Sequence, residues 1–208
     1  PSREPYTRLL LGTRYVLLRR EFWSWRGWQR EIPEVARKVL VTMGGSDPEN
    51  VTLKVMEALQ RVDLGGLEVT VVAGASNPHY RELLSAAQES RFATQVVRNA
   101  SNMPELMAWA DLAISGAGST CWEVAFMGLP SVVGVLADNQ QYIAEGLLAA
   151  AMVVNLGRFD DCSTQSVAAS VSMLLSNMLH RRCMSQAGKQ IVDGQGGGRL
   201  AAAMLSEE

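Results

Sequence analysis

The feature that most constrains this chain is a repeat of short, nearly continuous apolar runs, each followed by a segment with helical spacing of its apolar residues. From Lys38 onward the runs are KVLVTM, LEVTVVA, ATQVV, DLAIS, SVVGVL and AMVVNL. Strands that are apolar on both faces are typical of parallel sheets, because helices cover both sides. The repeat therefore predicts an α/β fold, a doubly wound, Rossmann-like parallel sheet.

The segments between these runs predict the covering helices. Their apolar spacing places helices near 49–61, 78–90, 102–110, 119–128 and 140–150, followed by terminal helices. In such a fold every strand-to-helix junction lies at the carboxyl edge of the sheet, which is where ligands bind. The unusual loops at these junctions are therefore the candidate site.

The first 36 residues do not follow the repeat. They include the stretch RREFWSWRGWQREIP, which is rich in arginine and tryptophan. Trp23, Trp25 and Trp28 could form a platform for ligand stacking, but the favoured interpretation is that they anchor a connecting segment on a neighbouring surface. We therefore predict a linker or remnant of a preceding half over 1–36 and a Rossmann-like domain over 37–208.

Composition narrows the function classes. The 208 residues are 48% hydrophobic and 19% charged with a net charge of −2, which is globular and gives no electrostatic footprint for nucleic acid. No apolar run approaches the roughly 18 residues of a membrane span. The three cysteines form no CxxC pair, so the sequence predicts no zinc site and no disulfide framework, and it favours a cytoplasmic protein. Cys121 is expected to be an inert buried thiol.

The first loop of interest (44–48) reads GGSDP and follows the first predicted strand. Pro48 suits the first position of a helix, and Ser46 or Asp47 can cap its N–H groups. A tight turn explains one glycine, but it does not readily explain both Gly44 and Gly45. Missing side chains would also make room for a ligand close to the backbone.

The second loop (115–120) reads SGAGST and follows the fourth predicted strand. Small residues before a helix let backbone amides approach an anion, and the helix dipole favours negative charge there. The alternative is a glycine turn with a Ser/Thr cap, in which Glu123 closes a capping box on Thr120 or packs outward.

The third loop (137–141) reads ADNQQ; Asp138 or Asn139 can cap the next helix, and amide side chains can also bind hydroxyls and phosphate oxygens. The chain lacks GxxxxGK[ST], and its GAG element lacks the third glycine of GxGxxG. No acidic residue closes the second predicted strand, where an NAD ribose would need one. We therefore predict no dinucleotide, no metal and no other cofactor.

Taken together, MGGSDPEN and ISGAGSTCWEVAFMGLPSVVGVLADNQQ resemble the C-terminal half of the UDP-sugar hydrolase of pseudaminic acid biosynthesis, the PseG type. The opening RLLLGTRYVLLRREF is similar to the segment that leads out of the N-terminal half of such proteins. A more distant similarity joins the chain to the peptidoglycan N-acetylglucosaminyltransferase, which shares the two-domain GT-B architecture.

The resemblance implies that this chain is the half that holds UDP or a UDP-sugar. On that basis the backbone of Gly44, Gly45 and Ser46 approaches the pyrophosphate and the sugar. The second loop receives phosphate at its helix through the matching Gly116, Gly118 and Ser119.

The resemblance also assigns the two ends of the ligand. Glu123 occupies the place of an acid that binds the ribose hydroxyls, and the backbone of Asn99 and Ala100 stands where uracil is recognised. Asn139 and Gln140 match an asparagine–glutamine pair near the sugar phosphate.

The leading hypothesis is therefore the UDP-sugar-binding half of a hydrolase that releases UDP in pseudaminic (nonulosonic) acid biosynthesis. The alternative is the donor-binding domain of a UDP-sugar glycosyltransferase, and an alternative of another class is a non-catalytic assembly module. Neither His79 nor His180 matches the family's catalytic histidine, which lies in the N-terminal half. The sequence thus predicts no catalytic residue here, an N-terminal half as partner, and no turnover by this chain alone.

Overall fold

The apolar runs form one parallel sheet, which confirms the predicted fold class. The computed structural model describes residue 4 and residues 7–205. The sheet has six strands in the order β3-β2-β1-β4-β5-β6, and every neighbouring pair is parallel. The strands are β1 Lys38–Thr42, β2 Glu68–Ala73, β3 Ala93–Arg98, β4 Leu112–Gly116, β5 Ser131–Val135 and β6 Val153–Arg158.

Helices follow the strands as the apolar spacing predicts. Short 3-10 turns occupy Thr13–Tyr15, Arg20–Trp25, Asp138–Gln140 and Phe159–Asp161. The α-helices are α1 Val51–Leu59, α2 Tyr80–Gln88, α3 Met103–Trp109, α4 Thr120–Phe126, α5 Gln141–Ala149, α6 Thr164–Ser176, α7 Met178–Ile191 and α8 Gly196–Leu205. Within the described part of the chain, no helix is long and apolar enough to cross a membrane.

Both faces of the sheet are buried. In β1, Val39 and Val41 belong to one apolar layer and Leu40 to the other, and all three are fully buried. The first layer includes side chains of α1, α2 and α6, and the second includes side chains of α3, α4 and α5. This arrangement explains why the strands are apolar at consecutive positions, since each buried side chain of this size contributes roughly 1.5–3 kcal/mol.

The segment before β1 packs onto the second layer. Phe22 is fully buried and meets the ring of Phe126 edge to face at 6.3 Å. Trp25 and Trp28 pack against the same layer, with their ring centroids 5.4 Å apart, as expected of anchors. Trp23 remains half-exposed. The division of the chain at residue 36 stays a prediction, and the outermost ends of both predicted units, 1–3, 5–6 and 206–208, lie outside the described residues.

The start of α1 differs from the sequence prediction. Pro48 is not its first residue, because the chain turns once more before the helix begins at Val51. Asp47 and Asn50 both adopt positive φ, at 45° and 50°, and the Asn50 N–H donates to the Asp47 carbonyl at 3.1 Å. Two left-handed residues interrupt any regular helix, so the predicted start near 49 is two residues early.

Buried arginines close the amino edge of the sheet. Arg30 donates to the backbone carbonyls of Met107, Ala110 and Met127, which end α3 and α4. Arg181 is fully buried and donates to two carbonyls at the end of α6 and to two in the segment before β1: Leu174, Leu175, Pro33 and Glu34. The two guanidinium groups thereby hold helix ends and the incoming segment together.

Candidate functional site

The strand order places a crevice between β1 and β4. β1 pairs with β2 on one side and with β4 on the other, so the direction of winding reverses at this point. In doubly wound sheets, ligands bind outside the carboxyl ends of the strands at such a switch point. The first loop follows β1 and the second follows β4, which brings both glycine loops to this crevice.

The crevice is a cleft with two adjoining compartments. The first compartment has a volume of about 550 Å³ and the second of about 470 Å³. Each lies within the usual range for small-molecule sites. The two compartments share the residues at their junction: Thr42, Gly44, Gly45, Ser119 and Thr120.

All of the site residues predicted from the sequence line this cleft. Gly44, Gly45 and Ser119 lie at the junction. The others divide between the first compartment (Ser46, Gly116, Gly118, Asn139, Gln140) and the second (Asn99, Ala100, Glu123). Residues from four different strand-to-helix junctions and one helix therefore line one cleft, and their roles in binding a ligand stay predictions.

The structure places different demands on the two glycines of the first loop. Gly44 has a φ of +89°, which disfavours any residue with a side chain. Gly45 has no such constraint, and a Cβ added to it would meet nothing within 4 Å. Its backbone packs directly against Gly74, where a Cβ would collide with the Gly45 carbonyl. Folding thus requires Gly44 and Gly74, whereas the bare surface at Gly45 faces open space.

Backbone N–H groups of both glycine loops are free to bind a ligand. Those of Gly45, Ser46, Gly118 and Ser119 donate to no acceptor in the described part of the chain. Unpaired N–H groups in a concave loop attract anions. The cleft therefore presents donors from two sides at the junction of its compartments.

Asp47 caps α1 and is not available as a base. Its carboxylate accepts the N–H groups of Val51 at 2.8 Å and of Thr52 at 3.0 Å, and the residue is only 4% exposed. The predicted capping role is confirmed for Asp47. Because these contacts already pair the first N–H groups of α1, fewer donors remain at this end of the helix for an anion than the sequence indicated.

The third loop contributes amide groups rather than a helix cap. Gln140 accepts the Leu136 N–H with its Oε1 at 2.9 Å, and its Nε2 lies near Gly118 without a hydrogen-bond acceptor among the described residues. Asn139 is exposed on the first compartment. Asp138, expected as a possible cap, pairs instead with Arg158 at 2.6 Å.

Glu123 forms an ion pair that the sequence did not indicate. Arg19 donates from Nε to Oε1 at 2.6 Å and from Nη2 to Oε2 at 3.0 Å, across 104 positions of sequence. This hydrogen bond with Glu123 raises the pKa of Arg19. No side-chain bond caps α4, so Glu123 closes no capping box on Thr120. Both partners line the second compartment.

Cys121 is inaccessible and His79 is already engaged in a hydrogen bond. Cys121 is 1% exposed and burial raises its pKa to about 12, so the thiol is inert as expected. His79 is half-buried, and its Nε2 donates to the Pro48 carbonyl at 3.0 Å, which ties the ring to the first loop. Within the described residues, no group of three or more His, Cys, Asp or Glu side chains could hold a metal ion.

Two proteins with similar sequences have names that refer to polysaccharide biosynthesis and to sugar transfer. The chain is 26% identical over 197 residues to the spore coat polysaccharide biosynthesis protein SpsG of Bacillus subtilis, covering 94% of this chain and 58% of that protein. It is 28% identical over 184 residues to the UDP-N-acetylglucosamine–N-acetylmuramyl-(pentapeptide) pyrophosphoryl-undecaprenol N-acetylglucosamine transferase of Methylococcus capsulatus, covering 84% of this chain and 50% of the transferase. The chain thus spans half of one relative and less than two thirds of the other.

The fold is also similar to that of a solved structure. The crystal structure of Acinetobacter baumannii MurG superposes with a TM-score of 0.71 at 16% identity, covering 85% of this chain and 54% of MurG. In addition, the sequence model of the glycosyltransferase family 28 C-terminal domain matches residues 39–194, which include β1 to α7 and every loop of the cleft. With the family match covering most of its length, this chain belongs to the glycosyltransferase family 28 C-terminal domain family.

Proposed function

We propose that this chain binds the nucleotide-sugar donor of a glycosyltransferase-like enzyme, and that the donor is a UDP-sugar. The observation that carries the proposal is the pair of glycine loops, whose unpaired N–H groups meet at the junction of a two-compartment cleft. A nucleotide sugar has the same layout, since a diphosphate joins a sugar to a nucleoside. Family membership supports the same ligand class.

In this proposal the diphosphate lies at the junction of the compartments. Gly45, Ser46, Gly118 and Ser119 donate backbone N–H groups to its oxygens. The sugar occupies the first compartment beside Asn139 and Gln140. The nucleoside occupies the second compartment, with the base near Asn99 and Ala100 and the ribose near Glu123.

The chemistry supplied by this chain is stabilisation of the departing nucleotide. Fixed dipoles aimed at a developing negative charge lower a reaction barrier without having to reorganise. Arg19 is the only lysine or arginine among the described residues that line the cleft, and it is paired with Glu123, so backbone N–H groups carry this role. The attacking nucleophile and its base come from a second, N-terminal half in this proposal, in keeping with relatives of which this chain covers only 58% and 50%.

Two reactions fit the same donor site. Attack by an acceptor hydroxyl gives sugar transfer, which the family and the Methylococcus capsulatus relative favour. Attack by water gives hydrolysis, which is favoured by the resemblance of the loop motifs to the hydrolase of pseudaminic acid biosynthesis. Product analysis of the full-length parent protein distinguishes them, since hydrolysis yields free sugar without an acceptor and transfer requires one.

Titration of the chain with UDP tests the donor site itself. We expect saturable binding of UDP, with amide NMR shifts concentrated at Gly45, Ser46, Gly118 and Ser119. Inorganic pyrophosphate should shift the same four amides, while uridine should shift only residues of the second compartment. No binding at millimolar UDP would contradict the proposal and favour a non-catalytic assembly module.

A further inference from the structure

The second compartment is completed by a residue from outside the repeating sheet. Arg19 precedes β1 by nearly twenty positions, yet its guanidinium donates hydrogen bonds to both carboxylate oxygens of Glu123 on α4. Both side chains line the compartment together with Asn99 and Ala100. A contact that joins two distant segments inside a ligand cleft calls for an explanation beyond the packing of the linker.

The guanidinium of Arg19 is held in place from more than one side. Its carbon lies 5.4 Å from the ring centroid of Phe22, which is fully buried, and its Nη1 contacts Glu21 at 2.8 Å. Arg19 is therefore anchored to the packed segment before it reaches Glu123. Glu123 is 9% exposed, and a buried carboxylate without a partner would be costly.

The paired carboxylate keeps capacity for a ligand. An ionised carboxylate has about four lone-pair sites, of which the bidentate contact uses two, one on each oxygen. Each oxygen therefore retains one free site. These two free sites point away from each other, so one of them can accept a hydroxyl group of a ligand in the compartment.

We propose that Arg19 is a positioning residue, which holds the Glu123 carboxylate so that a free lone pair accepts the 2′-hydroxyl of a ribose. This inference rests on the proposed function, because it needs a ribonucleotide in the second compartment. Arg19 itself does not touch the ligand. The segment before β1 thereby becomes a part of the site and not only a connection.

The test is discrimination between UDP and 2′-deoxy-UDP by the whole chain. In the native protein we expect UDP to bind about tenfold more tightly, the usual effect of one hydrogen bond to a charged group. In Arg19→Met this ratio should fall close to one, while the affinity for pyrophosphate stays unchanged. Arg20→Met, which removes an exposed neighbouring arginine, should keep the ratio.

A second variant covers the case in which Arg19→Met does not fold. Arg19→Lys retains the positive charge but cannot form the two parallel bonds, so the ratio should again decrease. In a Glu123→Gln background, adding either substitution should change the ratio no further, because Arg19 acts through Glu123. An unchanged ratio in the folded Arg19 variants would overturn the inference.

Two further outcomes are distinct from this one. Tighter UDP binding by Arg19→Met would show that Arg19 competes with the ribose, which also overturns the positioning role. Failure of the native chain to bind UDP would instead reject the proposed function, whatever the variants do.

Discussion

The two edges of the sheet differ in how their polar groups are paired. At the amino edge, Arg30 and Arg181 donate to backbone carbonyls, and Asp111 accepts the N–H groups of Arg37 and Lys38 at 2.8 and 3.0 Å. At the carboxyl edge, the N–H groups of Gly45, Ser46, Gly118 and Ser119 have no acceptor in the described part of the chain. One edge is closed by its own side chains, and the other is left open.

This difference separates the groups that stabilise the fold from the groups that are free to bind a ligand. Burial lowers the pKa of Arg30 to about 10, so even a guanidinium is partly desolvated in order to close the amino edge. Groups that have found partners contribute to folding, and substitutions there should change stability without changing binding. Exposed donors without partners contribute little to folding, so substitutions at the carboxyl edge should do the reverse.

The largest effect is expected at the amino edge. Arg181→Met removes the hydrogen bonds that this buried guanidinium donates to four backbone carbonyls, and a hydrogen bond from a charged group contributes about 1.5–3 kcal/mol. The free energy of unfolding should therefore fall by about 3 kcal/mol or more, as measured by urea denaturation. Arg182→Met, at the exposed neighbouring position, should leave it nearly unchanged.

The affinity of folded Arg181→Met for UDP provides the critical comparison. We expect it to equal that of the native chain, because Arg181 lies at the opposite edge from the cleft. A large loss of affinity in the folded variant would show that the two edges are coupled and would break the comparison.

The next effect is expected at Gly45. A valine side chain there meets no protein atom within 4 Å of its Cβ but occupies the junction of the cleft. Gly45→Val should weaken binding of both UDP and pyrophosphate by about tenfold or more, or 1.4 kcal/mol, in calorimetric titrations. Its unfolding free energy should change by no more than about 0.5 kcal/mol.

Gly65→Val is the matched control at the other edge. Gly65 lies in the turn before β2, and an added Cβ there also meets nothing within 4 Å. We expect this variant to bind UDP like the native chain. Equal losses of affinity in both variants would mean that Gly45 has no special place at the ligand.

Asp47 tests the comparison further, because it lies at the carboxyl edge but its carboxylate already accepts hydrogen bonds. Asp47→Ala removes the acceptor for two N–H groups of α1, and loss of such a cap typically costs about 1 kcal/mol of stability. Glu49→Ala, a neighbouring exposed residue of the same compartment, should cost almost nothing. Turnover by the full-length parent should survive Asp47→Ala; its loss in a folded variant would instead make Asp47 a candidate base.

Much of this arrangement could be predicted from the sequence because it depends on local patterns. Apolar runs on a parallel sheet specify the strands, and the topology then brings their following loops to one edge. That is why Gly44 and Gly118, far apart in sequence, could be assigned to one cleft. Residue-level roles in binding stay predictions, since they came from a family resemblance.

Other features depend on contacts that no local pattern reveals. The pairing of Arg19 with Glu123 spans 104 positions and follows no strand or helix period. Gly74 is required only because the Gly45 backbone packs against it. The late start of α1 depends on left-handed conformations at Asp47 and Asn50, which propensity alone does not specify.

The smallest effect, and the finest comparison, lies between two neighbouring amides of the third loop. Asn139 forms no side-chain hydrogen bond in the described part of the chain, whereas Gln140 accepts the Leu136 N–H at 2.9 Å. Each presents amide donors to the first compartment. Asn139→Ala and Gln140→Ala should both weaken binding of the UDP-sugar by about threefold, near the lower end for a neutral hydrogen bond. Only Gln140→Ala should also lower the unfolding free energy, by about 1 kcal/mol, because it leaves Leu136 without its acceptor. If Asn139→Ala proved the less stable variant, hydrogen-bond satisfaction would not be what separates folding groups from binding groups at this edge.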